Sequence, residues 1–258
     1  MSDPPELRTI RLRLAYDGSG FHGWQVQPGL LTVQQALSDA VCTVTGEQVI
    51  VHGSGRTDAG VHALGQVAHL RLRCRLPVEN LQRALNARLP ASVRVLEVSE
   101  AALDFHARHA ASNKLYRYRI YREEVCPPFL ARYVYHHPYP LDETAMIAAA
   151  PAWQGRHDFR SFAATPEKGA AAPASTVRTI RRSALVREGA ELVYEIEGQG
   201  FLHHMVRNIV GFLLEIGRGA RRGDEIGAVL AACSRAAAGP TAPAQGLYLV
   251  RVDYGEKG

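Results

Sequence analysis

The stretch Arg8-Thr9-Ile10-Arg11-Leu12-Arg13-Leu14-Ala15-Tyr16 alternates with period two, and Ile10, Leu12, Leu14 and Tyr16 face one way. Such alternation reads as a β-strand with one buried face. Asp17-Gly18-Ser19-Gly20 ends it with turn chemistry. Thr32, with Gln35 three residues on, has the form of a helix N-cap. Behind it Val33, Ala36, Leu37, Ala40, Val41 and Val44 make an apolar stripe at helical spacing, closed by Gly46. A short strand over 48–51 precedes a glycine-rich segment, and over 66–74 Ala68, Leu70, Leu72 and Cys74 alternate with arginines. Pro77 opens a helix carrying Leu81, Ala84, Leu85 and Leu89, and 93–98 is a further strand. The order is β-α-β-β-α-β, the split pattern of a ferredoxin-like unit.

The remainder repeats that order. Residues 114–122 read as a strand, and Asp142 caps a helix through Met146, Ile147, Ala150 and Trp153, with Pro151 inside it to shorten or kink it. Residues 177–186 and 192–197 form a hairpin, 201–217 and 224–233 helices, and 247–253 the last strand. The expected class is therefore α+β: two ferredoxin-like (RRM-like) halves, 1–105 and 106–258. The alanine-rich stretch 167–175 reads as a mobile loop.

A length of 258 residues suits two small domains, and 47% hydrophobic content supports a core. No apolar run approaches the roughly 20 residues that cross a bilayer. The polar start, Met1-Ser2-Asp3-Pro4-Pro5-Glu6, lacks the form of a signal peptide, so the expected location is cytoplasmic. Cys42, Cys74, Cys126 and Cys233 lie far apart and read as reduced, mostly buried thiols. The net charge of +5 favours a polyanionic partner only weakly. Nearly all of the positive charge is arginine, which fits both a GC-rich genome and recognition of phosphates and bases.

The densest chemical signal is Gly53-Ser54-Gly55-Arg56-Thr57-Asp58-Ala59-Gly60-Val61-His62, extended to Gly65. Glycines at 53, 55, 60 and 65 permit unusual backbone angles and close approach, and display Arg56 and Asp58. By itself the loop reads more readily as a surface turn with an ion pair. It lacks the ending of a phosphate loop. His52, His62, His69, His106 and His109 lack metal-ligand spacing, and His203-His204 points to opposite sides of a helix, so no metal is expected. Around Tyr116, aromatics interleave with basics: Tyr116, Tyr118 and Ile120 share one face of a strand, Arg117, Arg119 and Tyr121 the other. That density tips the stretch towards nucleic acid, against core tyrosines over a solvated basic face. Arg207 and Asn208 fall in an apolar helix, where an arginine either snorkels or pairs with a carboxylate such as Asp58.

Gly55-Arg56-Thr57-Asp58-Ala59-Gly60-Val61-His62, Lys114-Leu115-Tyr116-Arg117-Tyr118 and His203-His204-Met205-Val206-Arg207-Asn208-Ile209-Val210-Gly211 together resemble the TruA family of tRNA pseudouridine synthases. Tyr16-Asp17-Gly18-Ser19-Gly20-Phe21-His22-Gly23-Trp24-Gln25 with Thr32-Val33-Gln34 is similar to its N-terminal signature, and Ala244-Gln245-Gly246-Leu247-Tyr248-Leu249 to its C-terminal one. The resemblance runs from about Arg8 to Tyr254. It implies the pseudouridine synthase fold, with a central, mostly antiparallel sheet. It implies Asp58 as the catalytic aspartate, Arg207 as its paired arginine, Tyr116 as the residue that stacks on the target uracil, and Arg56 as the residue that fills the space left by the flipped nucleotide. It further implies a homodimer that isomerises uridines 38, 39 and 40 of the tRNA anticodon stem-loop without metal or cofactor. Pro151 and the stretch 167–175 depart from the family pattern, away from these motifs. Two other classes compete: a non-catalytic binder built of two RRM-like halves, and a hydrolase that releases free base.

Overall fold

The computed structural model describes residues 6–165 and 174–255. The contacts group the described residues up to Ser112, with those from Tyr248 on, into one unit, and Asn113 to Leu247 into another. The fold is α+β. Among the described residues, none of the five α-helices is long and apolar enough to cross a membrane.

In the first unit β1 (Arg8–Tyr16) lies between β3 (His62–Leu72) and β4 (Val93–Ala101), antiparallel to both. β2 (His52–Gly53) pairs with β3 near His69, and β10 (Leu247–Tyr254) runs parallel to β3 from Tyr248 opposite His62. The alternation in β1 holds: Ile10, Leu12, Leu14 and Tyr16 are buried, and Ile10, Leu12 and Leu14 stand opposite Leu70, Ala68 and Gln66. α1 (Val33–Thr45) buries Val33, Leu37, Ala40 and Val41. Thr32 Oγ1 accepts from Gln35 N (3.3 Å), and Gly46 closes the helix with φ 75°. α2 (Val78–Arg88) follows Pro77 as expected. The strand expected over 48–51 forms later, at His52–Gly53. The four cysteines are free and half-buried, not buried.

In the second unit β5 (Ala111–Tyr121), β9 (Glu191–Gly198), β8 (Val177–Glu188) and β7 (Gly155–Asp158) form a consecutive antiparallel sheet. β6 (Tyr135–His136) runs parallel to β5. Neither β6 nor β7 was expected from the pattern, because two- and four-residue strands carry too little periodicity. Pro151 acts as anticipated: α3 (Glu143–Ala149) gives way at Ala150 to a 3-10 turn holding the proline. α4 starts at Met205 and not at 201, and runs to Gly217; α5 is Ile226–Ala231. Of the stretch 167–175, only the last two residues lie within the described set.

Histidine spacing gave no hint of a cluster, yet the sheet assembles one in the first unit. The His69 ring stacks on His52 (4.9 Å between centroids) and lies 4.6 Å from His106, which in turn lies 4.2 Å from His109. Buried His69 accepts from Ala107 N through Nδ1 (3.2 Å), and the Ala107 carbonyl accepts from the Tyr254 hydroxyl (2.8 Å). Both polar groups of one buried alanine are thus spent on holding the segment after β4 to the sheet. Burial, with His106 and His52 beside it, pushes the His69 pKa down to about 4. The unfolded chain takes that proton at about pH 6.5, so between these values the unfolded state binds more protons and acid weakens the fold. We expect stability, read from urea midpoints, to fall between pH 6.5 and 4 by on the order of 2–3 kcal/mol from this group. In His69→Asn the side-chain oxygen replaces Nδ1 as acceptor without titrating, so that slope should flatten; an unchanged slope would refute the assignment.

Candidate active site

The segment from Ser54 to Val61 is held from below by side chains of the first unit. Gln66 on β3 is fully buried. Its Nε2 donates to the Gly55 carbonyl (2.9 Å) and the Tyr16 hydroxyl (3.4 Å), and its Oε1 accepts from Ser54 Oγ (2.7 Å) and Val67 N (3.2 Å). Tyr16 hydroxyl and Thr57 Oγ1 share a buried hydrogen bond of 2.9 Å. Burial pushes the Tyr16 pKa up to about 12, so the hydroxyl stays neutral. From the other side Trp24 N donates to the Thr57 carbonyl (3.0 Å), and Val61 N closes a turn onto the Asp58 carbonyl (3.1 Å).

The glycines serve two purposes here. Gly60 takes φ 78° and Gly23 φ 87°, angles that suit residues without Cβ. A Cβ at Gly23 would also lie 2.6 Å from the Thr57 carbonyl, and one at Gly53 2.6 Å from the Trp24 indole. These contacts leave the loop one path. On it Thr57 points into the unit, Asp58 is half-buried and Arg56 is exposed. Arg56 Nε donates to Gln25 Oε1 (3.2 Å), and Gln25 Nε2 to Gln34 Oε1 (2.8 Å), while Gln34 Nε2 holds the Val51 carbonyl (2.7 Å). His62 sits below the loop as a post: Nδ1 accepts from Gly18 N (3.1 Å) and the ring stacks on Tyr248 (4.8 Å).

In the second unit Tyr116 is 7% exposed, and its ring meets Phe201 edge-on at 4.9 Å. Tyr118 is fully buried and donates to the Pro243 carbonyl (2.8 Å); burial holds its pKa well above the usual value. Both tyrosines are thus buried, Tyr118 completely. The arginines of β5 meet acids on β9. Arg117 pairs with Glu195 (2.8 Å) across the ladder, and Arg119 Nε donates to Glu191 (2.7 Å). Carboxylates on a neighbouring strand could not be read from β5 alone.

Arg207 lies in the first turn of α4. Its Nε donates to the Ala242 carbonyl (2.8 Å), and Ala242 N donates back to the Arg207 carbonyl (3.0 Å). The neighbouring Asn208 is fully buried; its Nδ2 donates to the Phe162 carbonyl (2.7 Å), and its Oδ1 accepts from Thr241 Oγ1 (2.6 Å) and Arg235 Nη2 (3.1 Å). His203 and His204 precede the helix. Their rings are 4.0 Å apart, not on opposite faces, and His204 takes φ 61°, a left-handed angle that a non-glycine residue adopts only under constraint.

Sequence reasoning found the displayed residues and missed their supports. Gln66, Gln25 and Gln34 carry the loop, and a polar residue in register with an apolar strand face was the one signal for Gln66.

Proteins from several bacteria are similar to this chain over nearly its whole length. A family model described as tRNA pseudouridine synthase matches residues 14–109 and 149–255. A tRNA pseudouridine synthase A from Solibacter usitatus (strain Ellin6076) is 52% identical over 248 residues, covering 96% of this chain and 100% of that protein. Proteins of the same name from Limosilactobacillus fermentum (48% identity, 96% of each chain) and Moorella thermoacetica (47% identity, 95% of this chain and 99% of that one) are similar over comparable spans. With matches of this extent, the chain belongs to the tRNA pseudouridine synthase A (TruA) family.

Proposed function

We propose that the protein isomerises uridine to pseudouridine at positions 38, 39 and 40 of the tRNA anticodon stem-loop. The observation that carries this is near-full-length similarity, at 52% identity, to a protein named tRNA pseudouridine synthase A. Asp58 is the proposed catalytic carboxylate, Arg207 the cation that keeps it ionised, Tyr116 the platform for the target uracil, and Arg56 the residue that takes the place of the flipped nucleotide. The enzyme works as a homodimer in the cytoplasm and needs no metal or cofactor for the reaction. Its architecture is two ferredoxin-like halves, 1–105 and 106–258. The order β4-β1-β3, with β2 against β3, supports that reading in the first half. The hairpin β8–β9 between α3 and α4 supports it in the second.

The chemistry sets what these residues must do. The bond from C1′ to N1 breaks and one from C1′ to C5 forms; N1 gains a proton and C5 loses one, with no net oxidation. A carboxylate serves as nucleophile at the sugar carbon, as in retaining glycosidases, adds to the uracil ring, or assists elimination to an unsaturated sugar. In the covalent routes it must be ionised, and a guanidinium partner favours that state. The uracil must first leave its stack, which costs a few kcal/mol. Stacking on Tyr116 and insertion of Arg56 offset that cost.

Incubation with tRNA labelled with tritium at uracil C5 tests the reaction directly. Tritium release without free uracil is expected; no release would favour a binding protein, and free uracil a hydrolase. Asp58→Asn should lower turnover by more than about a thousandfold while tRNA binding persists. Arg207→Ala should lower kcat more than it raises Kd, and an unaltered kcat would remove its proposed role. Gln66→Leu strands the Gly55 carbonyl and Ser54 hydroxyl and lets the loop drift, so kcat should fall about 10- to 100-fold. A Gln66→Leu enzyme with wild-type kcat would show that Asp58 does not depend on this support.

A further inference from the structure

We propose that a cavity at the β7–β8 edge of the second unit holds a phosphate of the RNA strand that carries the target uridine. This rests on the reading of Tyr116 as the base-stacking residue. The cavity has a volume of about 320 Å³, and Arg156, Ser175, Arg178, Thr179 and Gln199 contribute its polar side chains. The ladder fixes their placement. Arg156 on β7 stands opposite Thr179 on β8, and Gln199 N donates to the Thr179 carbonyl (3.2 Å). Arg178 is anchored by Nη1, which donates to the carbonyls of Ser175 (2.9 Å) and Val177 (2.7 Å).

The lining identifies the ligand class. It holds two guanidinium groups, hydroxyls and an amide, and no carboxylate or aromatic ring among its described residues. Asp158, the acid on β7, is turned to Arg160 N (2.9 Å). Without an aromatic ring the cavity has no platform for a base. Two arginines beside hydroxyl and amide donors suit a tetrahedral anion, which guanidinium groups hold in bidentate fashion. Location supplies the strand. Gly200 completes the lining, and the next residue, Phe201, meets the Tyr116 ring at 4.9 Å. Consecutive Cα atoms lie about 3.8 Å apart. The cavity thus adjoins the segment that borders Tyr116, and a phosphate held in it fixes the register of the RNA strand without reading sequence.

The test compares wild-type protein, Arg156→Ala, Arg178→Ala, the double variant and Arg181→Ala, an exposed arginine on β8 outside the cavity. The affinity for tRNA is measured from roughly 50 to 300 mM salt, where each phosphate contact contributes about 0.7–0.9 to the slope of log K against log salt. The double variant should lose about one unit of slope. At physiological salt its KM for tRNA should rise about 5- to 10-fold, with kcat changing less than about twofold, and Arg181→Ala should keep the wild-type slope. Equal loss of slope in Arg181→Ala would assign the effect to overall charge and overturn the site. So would an unchanged slope in a double variant that melts like the wild type. Heat stabilisation by inorganic phosphate that the double variant loses, with its tRNA slope intact, would overturn the proposal in favour of a free anion. A wild-type protein that neither binds tRNA nor releases tritium overturns the functional reading and this site with it. Normal wild-type turnover with unaltered variants overturns the site alone.

Discussion

A buried glutamine amide must find all of its hydrogen bonds inside the protein, because water cannot supply them. Gln66 meets that demand with Gly55, Ser54, Val67 and Tyr16. The first partner is a backbone carbonyl three residues before Asp58, so the path that satisfies the amide also fixes the carboxylate. Any excursion of the loop would leave several polar atoms buried and unpaired, at about 1–3 kcal/mol each. The Tyr16–Thr57 bond and the Trp24–Thr57 bond add to the same constraint from two further directions. The loop is irregular in outline and rigid in its attachments, and such rigidity lets a group act without reorganising first.

The sheet and the first helix were legible in the sequence because each carries a long, periodic signal. Ile10, Leu12, Leu14 and Tyr16 alternate over nine residues, and the α1 stripe is bracketed by Thr32 and Gly46. The short strands β2, β6 and β7 were displaced or missed because their pairing is set by partners distant in the chain. The start of α4 was misjudged for a different reason. Phe201 and Met205 share helical spacing, but the left-handed angle at His204 breaks the helix between them. Apolar spacing reports which residues are buried, and it does not report where the backbone turns.

The candidate site was legible to the same uneven degree. Arg56, Asp58, Tyr116 and Arg207 stood out by residue type and by family order. What gives each its setting lies elsewhere. Gln66 supports the loop from β3, Phe201 borders Tyr116 from the segment before α4, and Ala242 holds Arg207 from beyond α5. The alternation on β5 shows which side chains share a face and not what stands opposite. Tyr118 proved to be core, and Arg117 and Arg119 are matched by Glu195 and Glu191 on β9.

That matching bears on how a protein of modest net charge engages a polyanion. Arginines paired with carboxylates in a ladder add little to the outward field, since opposite charges a few ångströms apart cancel beyond about one Debye length, roughly 8 Å in physiological salt. The net charge of +5 is therefore a poor guide to where RNA would bind. The useful quantity is the local balance, and it differs between two parts of one sheet. On the β5–β9 ladder acids answer the arginines, which stiffens the strand that presents Tyr116. In the β7–β8 cavity two guanidinium groups share a lining without a carboxylate among its described residues. Stiffness is what a stacking platform needs, because a ring that moves loses the alignment that favours the flipped base. Guanidinium groups beside hydroxyl and amide donors are what a phosphate contact needs. Strand pairing separates the two requirements by deciding which side chains stand together.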